Sequence, residues 1–270
     1  MRIVSNTKLV KRNNRIAQIL FFFSLGVLIL GFFLTNQQLF GIQASSPELQ
    51  SLSVLIPSVV LPIGLISTLF SVRMTNLWVR RPRPEDTIQE NLKGLSNRSV
   101  LYNYYHLPAR HVLICPQGVF AIVTRFQDGR YTVTGSKWRT HRSALSRFLS
   151  IFRLDGIGDP MMDAGRAAQR VQKQLAPIAP DVQVQPLILF IDPRARFEAI
   201  NPSVPVLYAD EKQKPNLRDY LRTLKGDVEE EPVPEKGKKK GQPKKKQEPK
   251  VTFPLSQSQI DAFEQATIPG

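Results

Sequence analysis

Side chains able to do chemistry are few in this 270-residue chain, and their types exclude several chemistries at once. Cys115 is the sole cysteine, so there is no disulfide framework and no thiolate metal cluster. Three histidines, His106, His111 and His141, are too few and too scattered for a histidine-based metal site. No Gly-rich phosphate loop or cofactor fingerprint occurs, and no cofactor is expected. What remains is carboxylate and cationic chemistry. Asp128 stands in a turn signal with Gly129, Asp159 precedes a helical pattern as an N-cap would, and Asp163 follows in its first turn, so each has an ordinary structural role. Arg110 and Arg125 each fit either a guanidinium fork on phosphate or a solvated position with a surface ion pair.

Two further cationic stretches stand out. In RTHRSALSRFLSIFRL, residues 139–154, Leu145, Phe148, Leu149 and Phe152 fall at helical spacing with Arg139, Arg142, Arg147 and Arg153 around them. A basic amphipathic helix of this kind suits anionic lipid, and it equally suits packing on a sheet. The run KGKKKGQPKKKQEPK, residues 236–250, includes Lys238, Lys239, Lys240, Lys244, Lys245 and Lys246. It fits phosphates of lipid or nucleic acid, or a solvated linker; without interleaved aromatics it does not support base stacking.

The net charge of +15 is confined to two segments. Residues 1–83 hold nine bases and one acid, and residues 236–250 hold eight lysines and one acid, leaving 20 bases and 20 acids elsewhere. The remaining domain is therefore neutral, and the high pI does not make it a basic nucleic-acid binder.

The elements that must position these groups begin with a membrane hairpin. A basic N-terminus, residues 1–15, precedes a first apolar span, 16–34; a loop, 35–51, leads to a second span, 52–72, and a basic linker, 73–84. At about 1.5 Å per residue each span crosses a hydrocarbon core of about 30 Å. Gly26, Gly31 and Gly64 are expected to permit close helix packing, and Pro57 and Pro62 are tolerable inside a membrane helix. Five bases before the first span and four after the second put both ends and the soluble domain in the cytoplasm, in an integral cytoplasmic (inner) membrane protein. A competing reading is a signal peptide cleaved near Ala44, but the first apolar stretch exceeds the usual length of about 7–15 residues.

Residues 85–225 read as an α/β domain, 226–250 as a disordered acidic-then-lysine insertion, and 251–270 as a returning helix capped by Ser256. Strands are expected at Ser99–Leu107, His111–Cys115, Val119–Thr124, Arg130–Thr134, Val184–Ile191 and Val204–Tyr208. Helices are expected at Glu85–Leu95, 161–176, Leu217–Leu224 and Leu255–Ala266.

The string HVLICPQGVFAIVTRFQDGRYTVTGSKW, residues 111–138, with the opening helix EDTIQENLKGL and Asp159-Pro160 before the long helix, resembles the nuclease-related domain (NERD) family. The resemblance implies a restriction-endonuclease-like fold with a central mixed sheet flanked by helices, and metal-assisted phosphodiester hydrolysis using Mg²⁺ on paired carboxylates. The motif-equivalent positions are Glu85, Arg110, Val123 and Arg125: two carboxylate positions are occupied by Arg110 and Val123, and the lysine position by Arg125. The expectation is a membrane-anchored domain that has lost nuclease activity and binds nucleic acid, anionic lipid or a protein. The alternative is a tethered Mg²⁺-dependent nuclease with ligands relocated among Glu85, Asp128, Asp159 and Asp163.

Overall fold

A computed structural model describes residues 1–36, 47–141, 156–224 and 253–268, with the backbone alone for 47–56. Along the chain run β1 (Arg2–Ser5), α1 (Thr7–Thr35), α2 (Pro47–Trp78), α3 (Pro84–Asn91), β2 (Val100–Asn103), β3 (His111–Cys115), β4 (Gly118–Arg125), β5 (Gly129–Thr134), β6 (Lys137–His141), α4 (Pro160–Leu175), β7 (Val184–Phe190), β8 (Ala195–Ile200), β9 (Val206–Tyr208), α5 (Leu217–Thr223) and α6 (Gln257–Thr267). The described residues divide into two units, one holding the helical hairpin and the other the sheets with Met1–Ser5.

In the hairpin unit, α1 and α2 are long and apolar enough to cross a membrane. Both extend beyond the expected spans. Asn6 accounts for the early start of α1: its Oδ1 accepts the Leu9 N–H at 2.9 Å, so the helix begins among polar residues before the apolar run. Buried positions recur every seven residues as Ala17, Ser24 and Gly31 on one helix and Pro57, Gly64 and Ser71 on the other. A Cβ on Gly31 would lie 2.9 Å from Leu61 Cδ2, and one on Gly64 would lie 3.1 Å from Leu28 Cδ2. Each of these glycines thus receives a leucine of the other helix, as small residues do in lipid-embedded pairs. Gly26 does not share the role: a Cβ there would meet nothing within 4 Å, because it lies off the seven-residue seam. Outward faces carry large apolar groups, with Phe22 68% and Phe70 60% exposed, the inverse of a water-soluble helix. The hydroxyls of Ser24, Thr35, Ser67 and Thr68 bond to carbonyls of their own helix, which pairs these donors without water.

The other unit is a mixed α/β domain. Its six-stranded sheet has the order β1-β2-β3-β4-β7-β9, and β6-β5-β8 form a second sheet. Within the larger sheet β1 runs parallel to β2, β2-β3 and β3-β4 are antiparallel, and β7 is parallel to both β4 and β9. Ile88 of α3, Leu92 just beyond it, and Leu217 and Leu221 of α5 bury against Leu101, Leu113, Ile122 and Leu187 on one face. The opposite face receives α4, which packs on β4 and β7. Its inward row is Met161, Ala164, Ala167, Ala168, Val171 and Leu175, the spacing of one helical face. Asp159 caps it, with Oδ1 accepting the Met162 N–H at 3.0 Å, and Pro160 occupies the first turn, where no donor is needed. In α6, Ser256 and Gln259 form a reciprocal capping box, and Ile260 and Phe263 face inward.

Several expectations need correction. The strand expected at Ser99–Leu107 stops at Asn103, because Tyr104 adopts the left-handed region at φ 66°. Residues 137–141 form β6, so the amphipathic helix expected from Arg139 does not begin there; most of its length, like the insertion at 226–250, falls outside the described residues. Strands β1 and β8 are additions to the expected set. The domain does not begin at 85: Arg2–Ser5 pairs in register with Val100–Asn103 and forms the sheet's edge.

Candidate functional site at the end of the sheet

Sheet register decides what the motif-equivalent positions can do. His111 lies opposite Ile122 at the end of the β3–β4 ladder, so Arg110 and Val123, one residue beyond in each strand, lie at the same end of the sheet. The ladder does continue on its other side, where the Tyr104 N–H donates to the Arg110 carbonyl at 2.6 Å. Alternation along β4 then places Arg125 on the face of Val123. Tyr104 also ties Glu85 to this end, its hydroxyl donating to Glu85 Oε2 at 2.7 Å. All four positions therefore gather at one end of the larger sheet.

The donor set they supply does not fit a hard divalent cation. Mg²⁺ takes oxygen ligands, whereas this end presents two guanidinium groups, an isopropyl group and one carboxylate already engaged by a phenol. Arg125 is only 12% exposed, and its Nη2 pairs with Asp163 Oδ2 of α4 at 2.5 Å. That pair commits one of the candidate acids, Asp163, to a cation. Asp159 is spent on the α4 cap, and Asp128 lies 3.5 Å from Arg194. Among the described residues no group of three His, Cys, Asp or Glu side chains gathers as a metal cluster would. Arg142, Arg147, Lys238, Lys239, Lys240, Lys244, Lys245 and Lys246 lie outside the described residues.

Behind Arg110 runs a buried polar chain that the sequence reading did not anticipate. Asn103 Nδ2 donates to Ser5 Oγ at 2.9 Å, which orients its Oδ1 toward His111 Nδ1 at 2.8 Å. An amide oxygen can only accept, so Nδ1 of His111 carries the proton and Nε2 is left as an acceptor without a partner. Burial, reinforced by the Arg110 charge, lowers the His111 pKa to about 3. His106 is likewise pushed down by burial, to about 4, against a raising contribution from its bond with Gln174. The ring of His106 stacks on Phe263 at 4.8 Å between centroids and meets Tyr102 edge-on at 5.4 Å. Both imidazoles are neutral structural groups near neutral pH.

A third cluster fixes β1 to α6. Arg2 makes two contacts with the Glu264 carboxylate, and the buried Tyr102 hydroxyl donates to Glu264 Oε1 at 2.7 Å. Desolvation, followed by that bond to Glu264, raises the Tyr102 pKa, so it stays a protonated donor. The only sequence-level trace of this arrangement is the β-branched pair Ile3-Val4, too short by itself to separate a strand from a frayed terminus.

No protein-family model, no curated protein and no solved structure matches this chain.

Proposed function

We propose that the protein is a membrane-anchored NERD-like binding module that does not hydrolyse phosphodiesters. The observation that carries this reading is the replacement chemistry at the sheet end: Arg110, Val123 and an Asp163-paired Arg125 stand where a nuclease needs oxygen ligands and a free lysine. Without paired carboxylates this end cannot hold the metal that would activate water, and contact with a polyanion falls to cationic segments such as residues 236–250.

In this reading the two apolar helices cross the cytoplasmic membrane, with both termini inside. Basic residues on the outer flanks of both spans support that orientation. Strand β1 supports an even number of crossings, because Arg2–Ser5 must lie on the same side as Val100–Asn103, with which it pairs. Cleavage near Ala44 would remove β1 and leave β2 as a bare sheet edge, which weighs against a signal peptide.

The test uses the full chain in lipid nanodiscs, since a fragment starting at residue 84 lacks β1. Labelled DNA and RNA are titrated with Mg²⁺ or Mn²⁺ present, and retardation and shortening are read on one gel. Expected are intact strands, retarded with a steep salt dependence that weakens when residues 236–250 are deleted. Metal-dependent shortening abolished by Glu85→Ala overturns the reading. An unchanged salt slope after the deletion removes the lysine run from it.

A further inference from the structure

The four cations of α1 that precede its apolar run share one face of the helix. Lys8, Lys11, Arg12 and Arg15 are separated by steps of three and four residues, which at 3.6 residues per turn confines them to an arc of about 100°. Ile19 and Phe22, in the next two turns, continue the same arc and are 58% and 68% exposed. Ala17, Ser24 and Gly31, the buried seam toward α2, lie about half a turn away. The stripe therefore faces away from the partner helix, in line with the surface that lipid would cover.

Local rules do not account for this pattern. Each step of three or four within the stripe joins like charges, which disfavours a helix in water. The first turns of a helix favour acids, and α1 has none there. All four side chains are exposed, and none has an ion pair among the described residues.

Depth supplies the partner. The apolar run begins at Ile16, and the headgroup layer outside a hydrocarbon core is about 5–8 Å thick. At about 1.5 Å per residue, Arg15 and Arg12 stand within that layer, Lys11 at its outer boundary and Lys8 just beyond. Side chains lean toward the N-terminus of their helix, here out of the hydrocarbon. Both guanidinium groups thus extend among phosphates rather than acyl chains.

From this placement we infer that the outward face of α1 selects anionic phospholipid, with Arg12 and Arg15 holding the headgroup phosphate and Lys8 and Lys11 adding attraction from the water side. Lipid is a better fit than nucleic acid because the two arginines lie at a depth that headgroups already fill. The inference rests on the membrane crossing proposed above, and it is independent of the loss of nuclease chemistry.

The test places a tryptophan beside the stripe and reads its quenching by brominated lipid. The full chain with Trp78→Phe and Ile19→Trp is reconstituted in phosphatidylcholine nanodiscs containing increasing fractions of brominated phosphatidylglycerol or brominated phosphatidylcholine. Quenching of the chain without Ile19→Trp is subtracted. A parallel chain carries Phe33→Trp instead, on the same face near the other end of the apolar run. At Ile19→Trp the anionic lipid is expected to be enriched about fivefold over phosphatidylcholine, the effect of roughly one cation near the surface. At Phe33→Trp no preference is expected. Changing Lys8, Lys11, Arg12 and Arg15 together to Gln, a good helix former, should abolish the enrichment. Lys8→Arg with Lys11→Arg should keep it, and salt at about 1 M should reduce it. Equal quenching by the two lipids at Ile19→Trp, the same preference at Phe33→Trp, or enrichment that survives the four Gln substitutions overturns the inference. Absence of quenching at both positions by either lipid overturns the membrane crossing itself, and the inference with it.

Discussion

Acidification from pH 7 to pH 5 is expected to destabilise the domain by about 4 kcal/mol, through His106 and His111. Both rings are buried, and burial holds their pKa values at about 4 and about 3, whereas an imidazole in an unfolded chain titrates near 6.5. Between those limits the unfolded state binds more protons than the folded state, so stability rises with pH across the window and falls as pH is lowered. Each ring contributes about 2 kcal/mol over these two pH units, a value set mostly by the unfolded pKa because the folded state hardly protonates. Against a typical domain stability of about 5–15 kcal/mol the loss is easily measured. Trp138 reports on the domain, packing 6.3 Å from Tyr131 and 6.1 Å from Phe190 between ring centroids. Urea unfolding would be followed by its fluorescence in the full chain with Trp78→Phe. His106→Gln and His111→Gln should each flatten the profile by about 2 kcal/mol, whatever they cost at pH 7. A flat profile from pH 7 to 5 in the parent chain would refute the burial argument.

Three other outcomes follow from the buried contacts and the paired termini. Glu264→Ala removes the partner of the buried Tyr102 hydroxyl and of Arg2, and should lower the urea-unfolding free energy by about 1–3 kcal/mol; an unchanged midpoint would mean that β1 is held by its ladder alone. Cys115 is fully buried and burial raises its pKa to about 12, so a maleimide should leave it unlabelled in the folded protein and label it fully in urea. Epitope tags placed at the two termini should be digested together by protease in inside-out vesicles and protected together in right-side-out vesicles; opposite behaviour would rule out an even number of crossings.

Much of this protein is legible one segment at a time. The two apolar helices, the β3–β4 hairpin around Pro116-Gln117-Gly118, the Asp159 cap with Pro160, and the Ser256 capping box all rest on neighbours within a few residues. Helix hydrogen bonds and turn dihedrals are local, so residue type alone decides them. The sequence also shows that neither Arg110 nor Val123 can supply a side-chain oxygen ligand. It does not show that Arg110 and Val123 lie at one end of adjacent strands, or that Asp163 pairs with Arg125; those depend on strand register and on how α4 lies over β4.

Long-range pairing decides the rest. Ser5 meets Asn103, 98 residues away, and Arg2 meets Glu264, 262 residues away; no short-range pattern encodes such partners. A four-residue strand has little preference of its own, and it becomes a strand because β2 offers unpaired backbone groups and Glu264 offers a charge. Composition and local periodicity determine most of the helices and core strands and which of them are apolar enough for lipid. Charge pairing is a property of the folded chain, because it requires distances that sequence separation does not contain.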